Sequence, residues 1–313
     1  MRFNGPVNEA VAGTGPGKRR RISRRSLLIG GASGLGITAF SIGTATGNVP
    51  LPTAVQRALG VASTTPVSQP GVAKVERVFS AARNREVDLV TLLPSRNPSA
   101  NLPVSLLLHG LHGRARNAAP TGTLAELSSQ VARHAVAPFG LVAVDGGDDY
   151  WHSNRPGDDP MRMLLEEVPQ WLSRRGLGGP GGQPFACTGM SMGGFGALLY
   201  ARRRAERARP LRALALLAPA LILSWDEMAK RGAFHDAADW AALDPLKHLD
   251  ATRGIPTGLW CGTEDPFIAG ARQFIAATHP AVAYTARGRH GDTFNRTVVP
   301  SVIGFLGRNV PTA

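Results

Sequence analysis

Residues 185–200 read "FACTGMSMGGFGALLY". An apolar run ends at Ser191, glycines surround the serine, and apolar residues then resume in a pattern that suits a helix. A buried strand entering a serine and a helix leaving it describes a nucleophile elbow, the sharp turn that presents a hydroxyl at the end of a sheet. Gly189, Gly193 and Gly194 fit that geometry, because such a turn brings neighbouring backbone too close for side chains. In a chain of 313 residues with 37 glycines a G-x-S-x-G match also arises by accident. Its meaning therefore rests on what lies on either side.

Outward from this stretch the chain alternates. Towards the N-terminus, residues 74–94, "KVERVFSAARNREVDLVTLLP", give two alternating segments around a polar turn, which predicts an antiparallel hairpin. Short apolar runs follow at 104–110, 139–147, 185–191, 211–219, 257–265 and 282–288, most ending in glycine or polar residues. Fully apolar runs suit strands buried on both faces. Helical patterns lie between and after them at 121–136, 161–175, 192–208, 266–278 and about 292–308. This is an α/β chain: a mostly parallel sheet with helices on both faces, entered through an antiparallel hairpin. Reactive groups in such sheets belong at the carboxyl ends of strands.

A serine hydroxyl attacks only when a histidine takes its proton, and that histidine needs a carboxylate to hold its tautomer. In a sheet of this kind the order along the chain is serine, acid, histidine. Only His279 and His290 lie well downstream of a strand-end acid, and His279 closes a helix before Pro280. His290, in "RGRHGDTF" after the last strand, is the base. The preceding strand ends in "CGTEDPF", which offers Glu264 and Asp265. Asp265 is preferred because it directly precedes Pro266 and a helix. Asp292 reads as a helix cap. A tetrahedral oxyanion needs two N–H donors. These are expected from the backbone of Met192, just after the nucleophile, and of Leu111 in "HGLHG" after the first parallel strand. His109 and His112 lack further ligands at zinc spacing, so neither a metal nor another cofactor is expected.

Taken together, HGL, GMSMGG, the GTED loop and the GRH loop resemble the esterase family of α/β-hydrolases that contains esterase D-like enzymes and the secreted mycolyltransferases. The resemblance covers roughly residues 72–310. It implies the α/β-hydrolase fold, Ser191 as nucleophile, Asp265 as orienting acid, His290 as base, and Leu111 and Met192 as oxyanion donors. It implies an esterase acting on carboxylic or thio esters, with acyl transfer to a sugar or lipid hydroxyl as the alternative. A hydrolase-fold envelope-binding protein without catalysis is a second alternative. The substrate is left open. The segment "DGGDDYWHSNRPGDDPM" (145–161) resembles the corresponding loop of such esterases; there Tyr150 and Trp151 either line the substrate mouth or pack inside. An insertion at 221–252, bearing Trp225, Met228, Phe234 and Trp240, either caps an acyl pocket or covers the core.

The first 47 residues read as an address rather than as fold. "KRRRISRRSLLI" (18–29) precedes a charge-free stretch to about Thr46, and Ser23 to Leu28 resemble a twin-arginine export signal. Cleavage is expected near Ala45–Gly47; an uncleaved anchor is the alternative reading. "GGASGLG" (30–36) imitates a dinucleotide loop, but no buried strand precedes it and no Tyr-x-x-x-Lys follows a tyrosine. Residues 48–71, rich in Pro, Ser and Thr, read as a linker to a catalytic domain at 72–313. The expected partners are the export machinery and a small-molecule or lipid ester, and the expected location is the cell envelope, periplasm or exterior, with no membrane span after cleavage.

The formal charge is +13, but the first 50 residues hold seven Lys/Arg against Glu9 alone. With the Arg202–Arg212 cluster read as a solvated helix end, and with no RNA-binding aromatic signature, nucleic acid is excluded as a partner. The two cysteines, Cys187 and Cys261, fall on strands expected to be separated by a third. Their backbones would then stand about 9–10 Å apart, beyond the roughly 7 Å reach of a disulfide. Two buried free thiols are predicted.

Overall fold

A computed structural model describes residues 71–312. The twin-arginine segment and nearly all of the linker therefore lie outside the described residues. β1 (Val72–Ser80) and β2 (Arg85–Leu93) form the expected hairpin, turning through Asn84 at φ 48°, a left-handed conformation that asparagine tolerates. Six further strands follow: β3 (Val104–Leu108), β4 (Gly140–Val144), β5 (Ala186–Met190), β6 (Ala213–Leu217), β7 (Thr257–Gly262) and β8 (Val282–Ala286). The eight strands make one sheet in the order β1-β2-β4-β3-β5-β6-β7-β8. β2 meets β4 antiparallel and every later pairing is parallel.

β3, β4 and β6 are buried at every position, which explains why they read as apolar runs, interrupted only by Ser105, rather than alternating ones. Their side chains still divide by a period of two. Leu106, Leu108, Val144, Leu214, Leu216 and Leu259 face one layer of the core, while Leu141, Ala213, Ala215, Leu217 and Trp260 face the other.

Helices cover both faces. α1 (Thr123–Ala132) and the C-terminal α7 (Asp292–Arg308) share one side through Leu127, Val298, Val302 and Leu306. On the other side lie α2 (residues 160–173), α3 (Met192–Glu206) and α6 (Ile268–Thr278). α2 spans Pro160–Arg162, a π-helical turn Met163–Glu167, and Val168–Ser173. The π turn falls just before Pro169, which has no N–H to continue the regular ladder. The insertion after β6 forms α4 (Trp225–Ala229) and α5 (Ala237–Leu243). No helix among the described residues is long and apolar enough to cross a membrane.

The chain runs from β3 outward to β4 and then returns to place β5 on the other side of β3. Loops leaving β3 and β5 therefore part in opposite directions and open a crevice at their carboxyl ends, the place where such sheets bind ligands. The cysteines obey the same topology. Cys187 pairs with Leu214 on β6, Leu214 pairs with Thr257 on β7, and Cys261 lies farther along β7. Both thiols are free and buried.

Candidate active site

Ser191 follows β5 and caps α3 at φ 56° and ψ −121°, a strained conformation for a residue with a side chain. Its backbone is braced on both sides. The Ser191 N–H donates to Leu217 O at 3.0 Å, and the Ser191 carbonyl accepts from Ala220 N–H at 2.9 Å. The tight packing of the turn accounts for Gly193: a Cβ there would stand 2.6 Å from the Leu108 carbonyl carbon and 2.8 Å from His109 O. The elbow is thus wedged against the end of β3.

Asp265 follows β7 and His290 follows β8, the last two strands of the sheet. His290 Nε2 lies 2.9 Å from Ser191 Oγ, and His290 Nδ1 lies 2.7 Å from Asp265 Oδ2. An ionised carboxylate only accepts, so Nδ1 carries the proton and Nε2 is left to accept from the serine hydroxyl. The second oxygen of Asp265 accepts from Phe267 N–H at 2.9 Å, which fixes the carboxylate plane. The Asp265 side chain is fully buried, whereas that of His290 is 30% exposed. Phe267 meets the His290 ring edge-on at 5.1 Å and supports it from the side. Glu264, the neighbouring acid, turns outward and pairs with Arg287 and Arg289 at 2.9 and 3.4 Å. Of the two acids in the GTED loop, Asp265 is the one brought to the histidine.

The two anticipated N–H donors flank the serine. Met192 is the first residue of α3, and a helix has no internal acceptor for the N–H groups of its first turn. Across the crevice, a Cβ placed on Gly110 would stand 3.2 Å from Ser191 Cβ. The HGL loop therefore lies directly against the serine, with Leu111 next in the chain.

His109 is fully buried. Its Nδ1 lies 2.8 Å from Gly110 O, and its Nε2 accepts from Gly146 N–H at 2.9 Å. This pairing fixes the neutral tautomer protonated at Nδ1 and leaves no lone pair for a metal. Burial pushes its pKa below the ordinary histidine value. No group of three or more His, Cys, Asp or Glu among the described residues is placed to hold a metal ion.

Tyr150 and Trp151 were the candidates for a substrate mouth, and the structure places both inside. They are 1% and 0% exposed. Tyr150 packs edge-on against Phe195 of α3 at 5.2 Å, and Trp151 lies 4.9 Å from the His109 ring and donates to His109 O at 3.3 Å. Large aromatic rings in a strand-end loop found a core to fill, and the indole N–H found a carbonyl. His152 is likewise a strut, stacked on Phe234 at 4.5 Å with Nε2 2.6 Å from Ala233 O. Phe234, Met228 and Trp240 of the insertion are buried in the main core, so these three cover it. Trp225 is partly buried, against Trp240 at 6.2 Å.

The family described as "Putative esterase" matches residues 80–280. Among solved structures, a ferulic acid esterase superposes with a TM-score of 0.62 at 16% identity, covering 77% of this chain and 99% of that one. An S-formylglutathione hydrolase from Agrobacterium tumefaciens gives 0.61 at 17% identity, over 77% and 96% of the two chains. A thermostable esterase from Pseudomonas putida gives 0.55 at 19% identity, over 78% and 85%. A search of curated proteins finds no match. At these identities the structural likeness is one of fold, and it is the family match over residues 80–280, most of the described residues, that assigns the chain: with its mostly parallel sheet, its antiparallel entry and its serine elbow, it belongs to this esterase family of the α/β-hydrolase fold.

Proposed function

We propose that this chain is a serine esterase that cleaves carboxylic or thio esters through an acyl-enzyme on Ser191. The observation that carries the reading is the continuous hydrogen-bonded relay from Asp265 through His290 to Ser191 Oγ. In the first half-reaction Ser191 Oγ attacks the ester carbonyl while His290 Nε2 takes its proton. The new oxyanion faces the N–H groups of Met192 and Leu111, which are fixed by the fold and need no reorganisation as charge develops. The tetrahedral adduct collapses, the bond to the leaving group breaks, and His290 returns the proton to the departing alkoxide or thiolate. Water then enters, gives its proton to His290, and releases the acid and the free serine. Asp265 stays ionised throughout and stabilises the imidazolium formed twice in the cycle.

The partial exposure of His290 leaves the base within reach of water, the acceptor in this reading. Two of the structural neighbours are, by name, a ferulic acid esterase and an S-formylglutathione hydrolase, so oxygen and thio esters both belong in the first substrate panel. The test is labelling by a fluorophosphonate probe, together with turnover of short-chain esters. Wild type is expected to react, and Ser191→Ala and His290→Ala to lose both signals. Labelling of Ser191→Ala at the wild-type rate refutes the proposal.

For its location, we propose export by the twin-arginine route. The order Ser23-Arg24-Arg25-Ser26-Leu27-Leu28 supports it. Replacing Arg24 and Arg25 by lysine is expected to retain the protein in the cytoplasm, and unchanged export argues against the assignment.

A further inference from the structure

The loop that carries the second oxyanion donor is held by a carboxylate from a different strand. Gly110 to Gly113 form a turn in which Gly113 N–H donates to Gly110 O at 3.0 Å. Of the four residues only His112 stands at positive φ, 59°, the pattern of a type II turn. That third position normally belongs to glycine, because other residues prefer the type I alternative, in which the peptide between positions two and three is rotated by about half a turn. Here the peptide is Leu111–His112. Its N–H donates to Asp148 Oδ1 at 2.6 Å, and His112 Nδ1 lies 3.4 Å from Asp148 Oδ2. One carboxylate thus grips the backbone and the side chain of the one residue whose conformation is unfavourable.

The preceding peptide is pinned as well. Gly110 O accepts from Gly113 N–H and from His109 Nδ1–H. In a planar trans peptide the carbonyl and the following N–H point in opposite directions, so fixing Gly110 O inward fixes the direction of Leu111 N–H. The loop is tied at one more point, where Ala115 N–H donates to Asp145 Oδ1 at 2.8 Å.

We infer that Asp148 is a positioning residue for the oxyanion loop: it holds the His112 peptide in its flipped state and with it the closed Gly110–Gly113 turn, whose bond to Gly110 O sets the direction of the Leu111 N–H. It acts through the backbone and touches no reacting atom. Its carboxylate is 41% exposed, so its removal leaves the core intact. The inference rests on the serine-esterase reading above.

The test is steady-state turnover of a short-chain p-nitrophenyl ester by wild type, Ser191→Ala, Asp148→Ala, Asp148→Asn and the double variant Asp148→Ala with His112→Gly. Asp148→Ala is expected to lower kcat about tenfold with KM within about twofold, a fraction of what losing an oxyanion donor outright costs. Asp148→Asn keeps an acceptor oxygen and is expected to stay within about threefold of wild-type kcat. In the double variant glycine adopts positive φ without steric cost, so most of the lost kcat is expected to return. A general loss of stability would not be repaired by adding a glycine. Wild-type kcat in Asp148→Ala, an Asn variant as slow as the Ala variant, or no recovery in the double variant overturns the inference while leaving the serine assignment standing. An inert wild type, or a Ser191→Ala protein that turns over normally, overturns both.

Discussion

Exchanging Asp265 for asparagine tests the relay at the point where the structure leaves least freedom. The side chain is fully buried. One oxygen accepts from Phe267 N–H at 2.9 Å and the other faces His290 Nδ1 at 2.7 Å. In Asp265→Asn the amide has one acceptor and one donor end, and the backbone N–H of Phe267 can be met only by the acceptor. The NH2 group is thereby directed at His290 Nδ1, which must give up its proton and accept. The remaining ring proton moves to Nε2 and points at Ser191 Oγ, so the imidazole donates where it should receive. The base is removed without displacing a heavy atom. By analogy with such tautomer reversal in serine proteases, kcat is expected to fall about 10⁴-fold, or about 5 kcal/mol at 1.36 kcal/mol per decade. Stability should change far less, because every hydrogen bond is replaced. The assay is kcat on a p-nitrophenyl ester beside a thermal melt, with Glu264→Gln as the control. Glu264 pairs only with exposed arginines and its variant is expected within about twofold of wild type, as befits a surface ion pair. An Asp265→Asn enzyme retaining a tenth of wild-type kcat, or a Glu264→Gln enzyme equally impaired, refutes the argument.

Three further outcomes follow from the packing. Burial raises the Cys187 thiol far above its ordinary value and lifts Cys261 to about 12. Neither should react with iodoacetamide at pH 8 in the native protein, and two equivalents should react after denaturation. His109 stays neutral when folded because burial lowers its pKa from 6.5. Below pH 6.5 the unfolded chain gains a proton that the folded chain refuses, so stability falls with acid by up to about 1.4 kcal/mol per pH unit until the folded pKa is reached. Urea midpoints at pH 7 and pH 5 should show a larger loss in wild type than in His109→Gln. Arg204 is 6% exposed and donates to Arg209 O, Pro184 O and the Tyr200 hydroxyl at 2.7, 3.3 and 2.9 Å. Arg204→Met leaves those acceptors without it, at a cost of about 2–4 kcal/mol, which calorimetry should record as a melting point roughly 5–15 °C lower.

The sheet was legible because its central strands are buried on both faces and so declare themselves as bare apolar runs. The hydrogen-bonded arrangement of Ser191, His290 and Asp265 was legible for a related reason: each residue follows a strand, next to the glycines or the proline that such an ending needs. What escaped were contacts made between loops. Asp148 and His112 stand 36 residues apart in the chain, and nothing in either local pattern announces that one will hold the other's N–H. Tyr150 and Trp151 had the composition of a binding wall and of a core alike, and only the position of Phe195 and His109 beneath them decides between the two. The break in α2 was hidden because Pro169 disturbs the backbone ladder while leaving the apolar spacing undisturbed.

The three residues of the relay follow three separate strands, β5, β7 and β8, with Ser191 and His290 99 positions apart and α7 packed against the sheet after the last strand. No portion of the chain that ends before His290 holds the whole relay. Hydrolytic competence is accordingly expected late in the life of the polypeptide: a nascent chain should stay chemically silent until the helix after β8 has docked. Regain of turnover during refolding should trail the return of helical circular dichroism, which makes catalysis itself the marker that the last βα unit has closed.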